Sequence, residues 1–230
     1  DNTHHCMIDG FSIYQERYEA VLPFHSPGLA PVFDGEKWFF ILPDGTPAFP
    51  QGFNRAFGFY CGLAAVEVDG SWFHIKSDGT RAYNTKWSWC GNFQQNRSTV
   101  RDEEGGYHHI REDGKPLKSG SNAYAGDFRE GAAVVRGFDG YCHHIDLEGR
   151  TLHNRKYLDL DVYHKGFARA RDSQGWHHID MNGEDMSEGR RYSRIEPFYN
   201  GQALVKKLEG ELFVIDESGV EQTYIQRAQS

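Results

Sequence analysis

The sequence predicts an all-β fold built from six repeats of about 35 residues. Turn glycines lie 34, 35, 35, 34 and 36 residues apart, at Gly45, Gly79, Gly114, Gly149, Gly183 and Gly219. Aromatic residues make up 14% of the 230 residues and glycines number 26, a composition that suits short strands joined by tight turns. No segment has the pattern of a long amphipathic helix. A register this constant indicates one structural unit stacked on its own copies.

The first half of each repeat predicts a strand that starts at an aromatic residue. Most repeats begin with an aromatic and an apolar residue three positions apart, and a second aromatic follows three positions later: Phe24, Phe59, Phe93, Phe128, Tyr163 and Phe198. A glycine, a small residue and an apolar residue follow with alternating spacing, as in Gly62-Leu63-Ala64 and Val66. Period-two alternation predicts a strand, and the small residue predicts close approach of a neighbouring sheet.

The second half of each repeat predicts a hairpin. A turn such as Asp69-Gly70 or Asp139-Gly140 leads into an aromatic or histidine-rich strand, for example Trp72-Phe73-His74-Ile75. A second turn, such as Asp78-Gly79, closes that strand, because glycine supplies the positive φ that tight turns demand. The spacing therefore predicts a three-strand meander per repeat, with room for a brief fourth strand at most.

These strands resemble the repeats of the bacterial WG-repeat family, in which a Trp-Gly-Tyr-Ile-Asp-like strand precedes an Asn-Gly or Asp-Gly turn. The resemblance spans residues 18–219 and is clearest at Trp38-Phe39-Phe40-Ile41, Trp72-Phe73-His74-Ile75 and Trp176-His177-His178-Ile179. The chain departs from the family in carrying Phe or His where the family has glycine after tryptophan. The resemblance implies a repeat fold and says little about chemistry.

We expect one repeat domain, with repeats 1–6 at about 16–50, 51–83, 84–117, 118–152, 153–186 and 187–226, and a partial repeat at 1–15. Residues 6–10 look like a copy of the third strand and its turn, and residues 220–225 look like an outer strand. Partial repeats at both ends favour a closed, small six-bladed β-propeller. An open β-hairpin solenoid is the alternative, because a unit of about 35 residues is short for a propeller blade.

Composition excludes some functions. Lys plus Arg is 25 against 33 for Asp plus Glu, a formal charge of -8 that argues against nucleic-acid binding. No apolar run predicts a membrane span, and no signal peptide opens the chain. The four cysteines form no CxxC pair. We therefore expect reduced thiols and a cytoplasmic protein, with a mature secreted form as the alternative, and the sequence leaves the oligomeric state open.

Histidines fall in two adjacent columns of the third strand. His74, His109, His144 and His178 share one column, and His108, His143 and His177 share the column before it. Adjacent residues of a strand point to opposite faces, so these neighbours do not chelate one ion together. Equivalent rings in adjacent repeats near a ring axis would suit a transition metal such as Zn, Fe or Cu. The alternative is that each imidazole packs between sheets and bonds a neighbouring backbone.

The third repeat breaks the pattern and is the predicted binding surface. Where the other repeats have a glycine and an alanine it has Asn96-Arg97-Ser98, preceded by Trp89, Cys90, Gln94 and Gln95. A repeat that departs from the common pattern is where a functional site is expected. The alternative is a repeat that has lost the pattern without gaining a role. A basic column, Arg101, Arg136, Arg171 and Lys206, forms either a ligand-binding stripe or a face paired with Asp146, Asp180 and Asp216.

Catalytic motifs are missing from the sequence: there is no nucleophile elbow, phosphate loop or zinc-protease helix. The sequence therefore predicts a non-enzymatic binding module for a protein, peptide or carbohydrate, without a certain cofactor. The alternative is a metal-dependent enzyme that uses the histidine columns to activate water or oxygen.

Overall fold

The computed structural model describes residues 3–226, and all the regular secondary structure assigned in that range consists of β-strands. The all-β prediction is therefore confirmed. The chain divides into two compact units, Asp1–Gly120 and Ser121–Ser230. The boundary lies close to the expected junction between repeats 3 and 4. The single repeat domain and the closure of the ring both stay predictions. Within the described range, no helix is long and apolar enough to cross a membrane.

The N-terminal unit contains three antiparallel three-stranded meanders, one for each of the first three repeats. Their strands are β1 (Ala20–Val21), β2 (Ala30–Phe33) and β3 (Trp38–Ile41); β4 (Arg55–Tyr60), β5 (Leu63–Val68) and β6 (Ser71–Ile75); and β7 (Trp89–Gln94), β8 (Arg97–Arg101) and β9 (Tyr107–Arg111). Each meander follows the strand order expected from the two turns of its repeat.

The C-terminal unit contains a three-stranded meander and a seven-stranded sheet. The meander is β10 (Tyr124–Ala125), β11 (Ala132–Arg136) and β12 (Cys142–Asp146). The larger sheet is β13 (Asp159–Leu160), β14 (Phe167–Arg171), β15 (Trp176–Asp180), β16 (Tyr192–Ile195), β17 (Gln202–Lys207), β18 (Leu212–Asp216) and β19 (Glu221–Gln226). Repeats 5 and 6 join in it through a single pair, Trp176 with Tyr192.

The brief fourth strand is reduced to isolated bridges in five repeats. After each turn the chain pairs once with the isoleucine at or next to the end of the third strand, for example Ile75 with Arg81 and Ile145 with Thr151. Repeat 6 differs, because β19 pairs with β18 along its length. The outer strand expected at residues 220–225 is thus present.

The N-terminal partial repeat also has the expected turn. Cys6 bridges Ser12, and the Gly10 N–H donates to the Met7 carbonyl at 2.9 Å. The Gly45 N–H donates to the Leu42 carbonyl at the same distance one repeat later. Gly10 therefore extends the glycine register by a further 35 residues.

The glycine before the small residue belongs to a turn that the sequence pattern did not separate from the strand. In most repeats, a two-residue loop with positive φ at both positions joins the first and second strands, as at Cys61 (φ 50°) and Gly62 (φ 79°). Asn96 occupies the glycine position in repeat 3 with φ 61°. Asparagine tolerates this left-handed conformation better than most residues, so its presence there has a structural explanation.

Aromatic side chains fill the core between consecutive meanders. In the N-terminal unit, one cluster combines Phe40 and Phe49 of repeat 1 with Phe59, Ala64 and other residues of repeat 2. Ala64 is fully buried, as expected for the small residue of the second strand. The core therefore sits between one meander and the next, which is why a single repeat cannot bury its apolar face alone.

Candidate functional site

The predicted metal column proves to be a set of buried packing residues. His74 and His144 are fully buried, and His109 and His178 are each 1% exposed. Nε2 of His74 lies 2.8 Å from the Gly91 carbonyl, and Nε2 of His178 lies 2.8 Å from the Glu196 carbonyl. A carbonyl oxygen only accepts, so Nε2 carries the proton in both rings. Each ring thereby ties its third strand to the first strand of the next repeat.

The other ring nitrogen has different neighbours from repeat to repeat. Nδ1 of His74 lies 2.5 Å from the Tyr83 hydroxyl, and Nδ1 of His144 lies 3.3 Å from Nε2 of His153. Burial lowers the pKa of His74, and of His144, to about 4, although the carbonyl bonds oppose that shift. These imidazoles are neutral at pH 7 because charging them in the core would require desolvating the cation.

The geometry favours packing over metal binding for this column. Both nitrogens of His74 are engaged, and the described residues contain no group of three or more His, Cys, Asp or Glu able to hold a metal ion. In the neighbouring column, His108 bonds Asp102 at 2.6 Å and His143 is half-buried. The transition metal stays a prediction that no contact in the described chain supports.

The residues predicted from the third repeat do not form one surface. Gln94 ends β7, Gln95 and Asn96 form the turn, and Arg97 begins β8. Trp89 lies at the opposite end of the same hairpin, about four residues or 13 Å away. The structure therefore divides the predicted site into a turn end and an open end, because a hairpin separates residues that adjoin its loop from those that adjoin its termini.

Cys90 is not available to a ligand, contrary to the prediction. It is fully buried in a cluster with Phe93 and Val100, and burial raises the pKa of its thiol. The residue occupies the apolar column that other repeats fill with Val, Ala, Leu or Ile. A thiol in this environment behaves as a small apolar side chain.

The predicted basic column lies at the open ends of the hairpins. Arg101, Arg136 and Arg171 are the last residues of β8, β11 and β14, and each sits opposite the first residue of the third strand. In repeat 3 the row across the sheet reads Trp89, Arg101, Tyr107, with the Arg101 guanidinium 5.7 Å from the Tyr107 ring centre. The structure thus brings together Trp89 and Arg101, two of the predicted site residues.

The alternative pairing of this column with the aspartates is wrong. Asp146 lies opposite Ala132, at the far end of the hairpin from Arg136. Its Oδ1 accepts hydrogen bonds from the backbone N–H of Glu148 and Arg150 in the following turn, at 2.9 and 2.8 Å. Asp180 and Asp216 cap their turns in the same way. These aspartates accept hydrogen bonds from the backbone N–H groups of their turns. Their position in the sequence pattern does not distinguish this role from pairing with a basic residue.

A cavity of about 450 Å³ lies beside the equivalent row of repeat 4, in the C-terminal unit. It is lined by Tyr124, Val134, Arg136, Cys142, Asp159 and Leu160. Nη2 of Arg136 lies 3.4 Å from Oδ1 of Asp159, and both side chains are more than two-fifths exposed. Cys142 forms part of the apolar floor, since it is 2% exposed and burial raises the pKa of its thiol while Arg136 opposes the shift.

One exposed aromatic residue lines this cavity, and two more follow its arginine in the sequence. Tyr124 is 52% exposed, with its hydroxyl 3.4 Å from where a Cβ on Gly126 would lie, so the ring extends over the glycine. Phe138 and Tyr141, next to the same row in sequence, are 73% and 43% exposed. Trp89 has the corresponding relation to Gly91 in repeat 3. We call the surface formed by Tyr124, Arg136, Phe138, Tyr141 and Asp159 the repeat 4 face.

Sequence reasoning identified Arg136 and missed its aromatic neighbours. Tyr124 stands in a repeat that otherwise lacks the initial aromatic, since Asn122 occupies that position. The aromatic-x-glycine pattern shared by Trp89 and Tyr124 was the available signal. The number of substitutions in a repeat does not indicate which positions share a sheet face, and the shared face is what defines this surface.

Comparison with known families gives one match. A family model of the WG containing repeat matches residues 41–72, which run from the end of the third strand of repeat 1 into that of repeat 2. The match confirms the resemblance expected from the sequence. No curated protein matches the chain.

Several solved structures resemble the chain at low sequence identity. BamB from Moraxella catarrhalis is 12% identical, with a TM-score of 0.48 over 98% of this chain and 80% of that one. The computationally designed Ika8 protein is 12% identical, with a TM-score of 0.48 over 96% and 79%. The WD40 beta propeller domain of Doa1 is 15% identical, with a TM-score of 0.38 over 90% and 81%.

Proposed function

We propose that this WG-repeat protein is a non-enzymatic binding module and that the repeat 4 face receives a segment of a protein or peptide partner. The observation that carries the proposal is the cavity of about 450 Å³ in which an exposed tyrosine, an arginine and an aspartate converge over an apolar floor. A recognition site usually combines a concave apolar surface with a few converging polar groups.

The residue types on this face are those that contribute most to protein recognition. Tyrosine and arginine are enriched among the residues whose truncation costs most binding energy. Tyr124, Phe138 and Tyr141 expose aromatic area within one short region. Single exposed apolar side chains need no explanation, but several within one region of a repeat indicate a contact surface.

The charges on the face are available to a partner. Arg136 and Asp159 are about equally exposed, so their mutual attraction is screened and contributes about 0–1 kcal/mol. A partner can replace this pair with its own charges at little cost. The Cys142 thiol is buried and its pKa is raised, which makes it a poor nucleophile and supports binding rather than catalysis.

A selection from a random peptide library on the immobilised full chain tests the proposal. We expect selected peptides to compete with one another and to lose about tenfold or more in affinity on Tyr124→Ala or Arg136→Ala, since a buried hot-spot contact is worth at least about 1.4 kcal/mol. Arg150→Ala, an exposed arginine in the next turn of repeat 4, is the matched control and should leave affinity unchanged.

Two outcomes would contradict the proposal. One is a set of peptides whose affinity is unaffected by both variants while the variants keep the wild-type circular dichroism spectrum. The other is binding of an oligosaccharide from a glycan array that Tyr124→Ala abolishes, which would make the ligand a carbohydrate.

We also propose that the protein works in the cytoplasm, where thiols stay reduced. All four cysteines are free, and Cys6 and Cys61 are exposed. Fractionation of the cells that produce the protein tests this: recovery outside the cytoplasm would contradict it.

A further inference from the structure

The loops that join the first and second strands of repeats 4, 5 and 6 lie in a row in the C-terminal unit. Each is a two-residue loop with positive φ at both positions: Glu130-Gly131, Lys165-Gly166 and Asn200-Gly201. The three loops are spaced by 35 residues, so the same position carries Glu130, Lys165 and Asn200 in turn. This row lies at the opposite end of the hairpins from Arg136 and is separate from the repeat 4 face.

We call each pair of neighbouring loops in this row a step. In the first step, from repeat 4 to repeat 5, the carboxylate of one loop is bound by the next loop. Oε1 of Glu130 accepts the Lys165 N–H at 2.8 Å, and Oε2 accepts the Gly166 N–H at 2.8 Å. Two successive backbone N–H groups of a turn form a concave site suited to an anion. Burial opposes ionisation of Glu130, but these two bonds, together with the charge of Arg129, leave its pKa below the usual value.

The second step of the row has the same loop and the opposite charge. Lys165 stands where Glu130 stood, and the loop at the equivalent position of the next repeat is Asn200-Gly201, with φ 50° and 78°. An ammonium group cannot accept a hydrogen bond from an N–H. Lys165 therefore cannot bind the N–H groups of the Asn200-Gly201 loop as Glu130 binds those of the Lys165-Gly166 loop. Within the described residues, the backbone N–H groups of Asn200 and Gly201 donate no hydrogen bond.

A second donor lies beside this step. Nη2 of Arg129 lies 2.6 Å from Nδ1 of His164, and because a guanidinium only donates, Nδ1 accepts and the proton of the neutral ring is on Nε2. That Nε2 is buried and, within the described part of the chain, has no hydrogen-bond partner. The His164 ring lies 5.3 Å from the ring of Tyr199, the residue before the Asn200-Gly201 loop.

We propose that the Lys165 and Asn200-Gly201 step is a binding site for an oxyanion, and that a carboxylate is its natural ligand. The anion bridges the Lys165 ammonium and the N–H groups of Asn200 and Gly201, in the arrangement that Glu130 shows one repeat earlier. Lys165 and Asn200 are exposed, so a ligand from solution reaches the site. The internal Glu130 contact supplies the evidence that this loop geometry accepts the two oxygens of one carboxylate.

The test is a titration of the ¹⁵N-labelled full chain with sodium acetate, with sodium chloride at equal ionic strength as the reference. We expect saturable shifts of the Asn200 and Gly201 amide signals with acetate and none with chloride. In a parallel titration, inorganic phosphate that moves the same signals more strongly than acetate would support the oxyanion site and contradict the carboxylate as its natural ligand. Amide signals that respond to acetate no more than to chloride would overturn the proposal.

A designed variant sharpens the test. Lys165→Glu should reproduce the Glu130 contact within the chain, moving the Asn200 and Gly201 amide protons downfield without acetate and weakening the acetate response at least tenfold. Lys165→Gln should weaken the response severalfold without the downfield shift. Lys206→Glu, at an exposed lysine in the same unit, makes the same charge change elsewhere and should keep the response. An unchanged acetate response in Lys165→Glu would also overturn the proposal.

Discussion

At the scale of single residues, the same position in successive repeats carries one physical role with different side chains. The buried histidine column includes His5 in the N-terminal partial repeat, whose Nε2 lies 2.7 Å from the Leu22 carbonyl and whose Nδ1 lies 2.6 Å from the Tyr14 hydroxyl. In repeat 1 the position is Phe40, which packs on Phe49 with ring centres 5.5 Å apart. In the partial repeat and repeats 1 to 5 either an imidazole or a benzyl ring fills the space, and in repeat 6 the position is Val214.

The histidine column predicts that acid destabilises the protein. Burial lowers the pKa of His74, His144 and His178 to about 4 in the folded state, whereas the unfolded chain binds these protons near pH 6.5. The unfolded state therefore holds more protons between these values, and stability falls as pH falls from about 7 to 4, by up to about 3 kcal/mol per ring. Urea unfolding at a series of pH values measures this.

His178→Phe is the variant that isolates one ring. Phenylalanine cannot take up a proton, so we expect a shallower loss of stability on acidification than in the wild type. His25→Phe replaces an imidazole outside the column, with its ring centre 4.5 Å from that of Tyr60, and is the control. Equal slopes for His178→Phe and the wild type would contradict the role given to this ring.

Cysteine reactivity checks the burial of the third repeat. Cys6 and Cys61 are exposed, and Cys90 and Cys142 are buried with raised thiol pKa values. We expect a thiol reagent to modify the two exposed cysteines rapidly and the two buried ones only after unfolding, because the thiolate is the reactive form. Rapid modification of Cys90 in the folded protein would contradict its placement in the core.

At the scale of elements, the turn glycines have a steric role beyond their dihedral angles. A Cβ on Gly114 would lie 2.5 Å from Cγ of Tyr83, and one on Gly79 would lie 2.8 Å from the ring of Phe49. The turn that closes one repeat thus rests on an aromatic residue that follows the third strand of the previous repeat. The regular glycine spacing follows from this contact as well as from the positive φ.

Two alanine substitutions separate these effects. Gly70→Ala tests positive φ alone, since φ is 77° and nothing lies within 4 Å of the added Cβ, and should cost about 1–2 kcal/mol. Gly114→Ala has a similar φ of 79° and adds the overlap with Tyr83, so we expect it to cost at least about 1 kcal/mol more. Chemical denaturation measures the free energy of unfolding of both variants. Equal losses of stability would show that the Tyr83 ring moves aside without a free-energy cost.

The loop of repeat 3 provides a prediction for the residue that breaks the pattern. Asn96 adopts φ 61° where most other repeats have glycine. Asn96→Ala should destabilise the protein by about 1 kcal/mol, whereas Asn96→Gly should be neutral or slightly stabilising. Equal stabilities of the two variants in chemical denaturation would mean that the left-handed backbone conformation is not the reason for Asn at position 96.

At the scale of the whole molecule, closure of the six repeats into a ring stays a prediction, and the structure shows which experiment tests it. Deletion of residues 1–10 is unsuitable, because His5 bonds Leu22 and Tyr14 within its own unit and its loss destabilises an open array too. A distance between the two ends of the chain distinguishes the alternatives directly.

Spin labels at Ser12 and Glu217, introduced in a variant that lacks the native cysteines, measure that distance. In an open array, six steps at the roughly 10 Å spacing of packed sheets would separate the ends by about 60 Å. A closed ring predicts a single much shorter distance. A distance of about 60 Å would contradict closure and favour the solenoid.

Sequence alone determined the strands, the turns and the repeat register, because glycine at positive φ and alternation of apolar residues are local requirements. It could not determine which side chains share a face of a meander. Cys90 and Trp89 are neighbours in sequence, yet one is buried in the core and the other joins the row with Arg101. Strand pairing also separated Trp89 from Gln95 by the length of a hairpin and placed Tyr124, Arg136 and Asp159 around one cavity. Those groupings were decided by the tertiary structure, because cross-strand register and packing between repeats bring together residues that are distant in sequence.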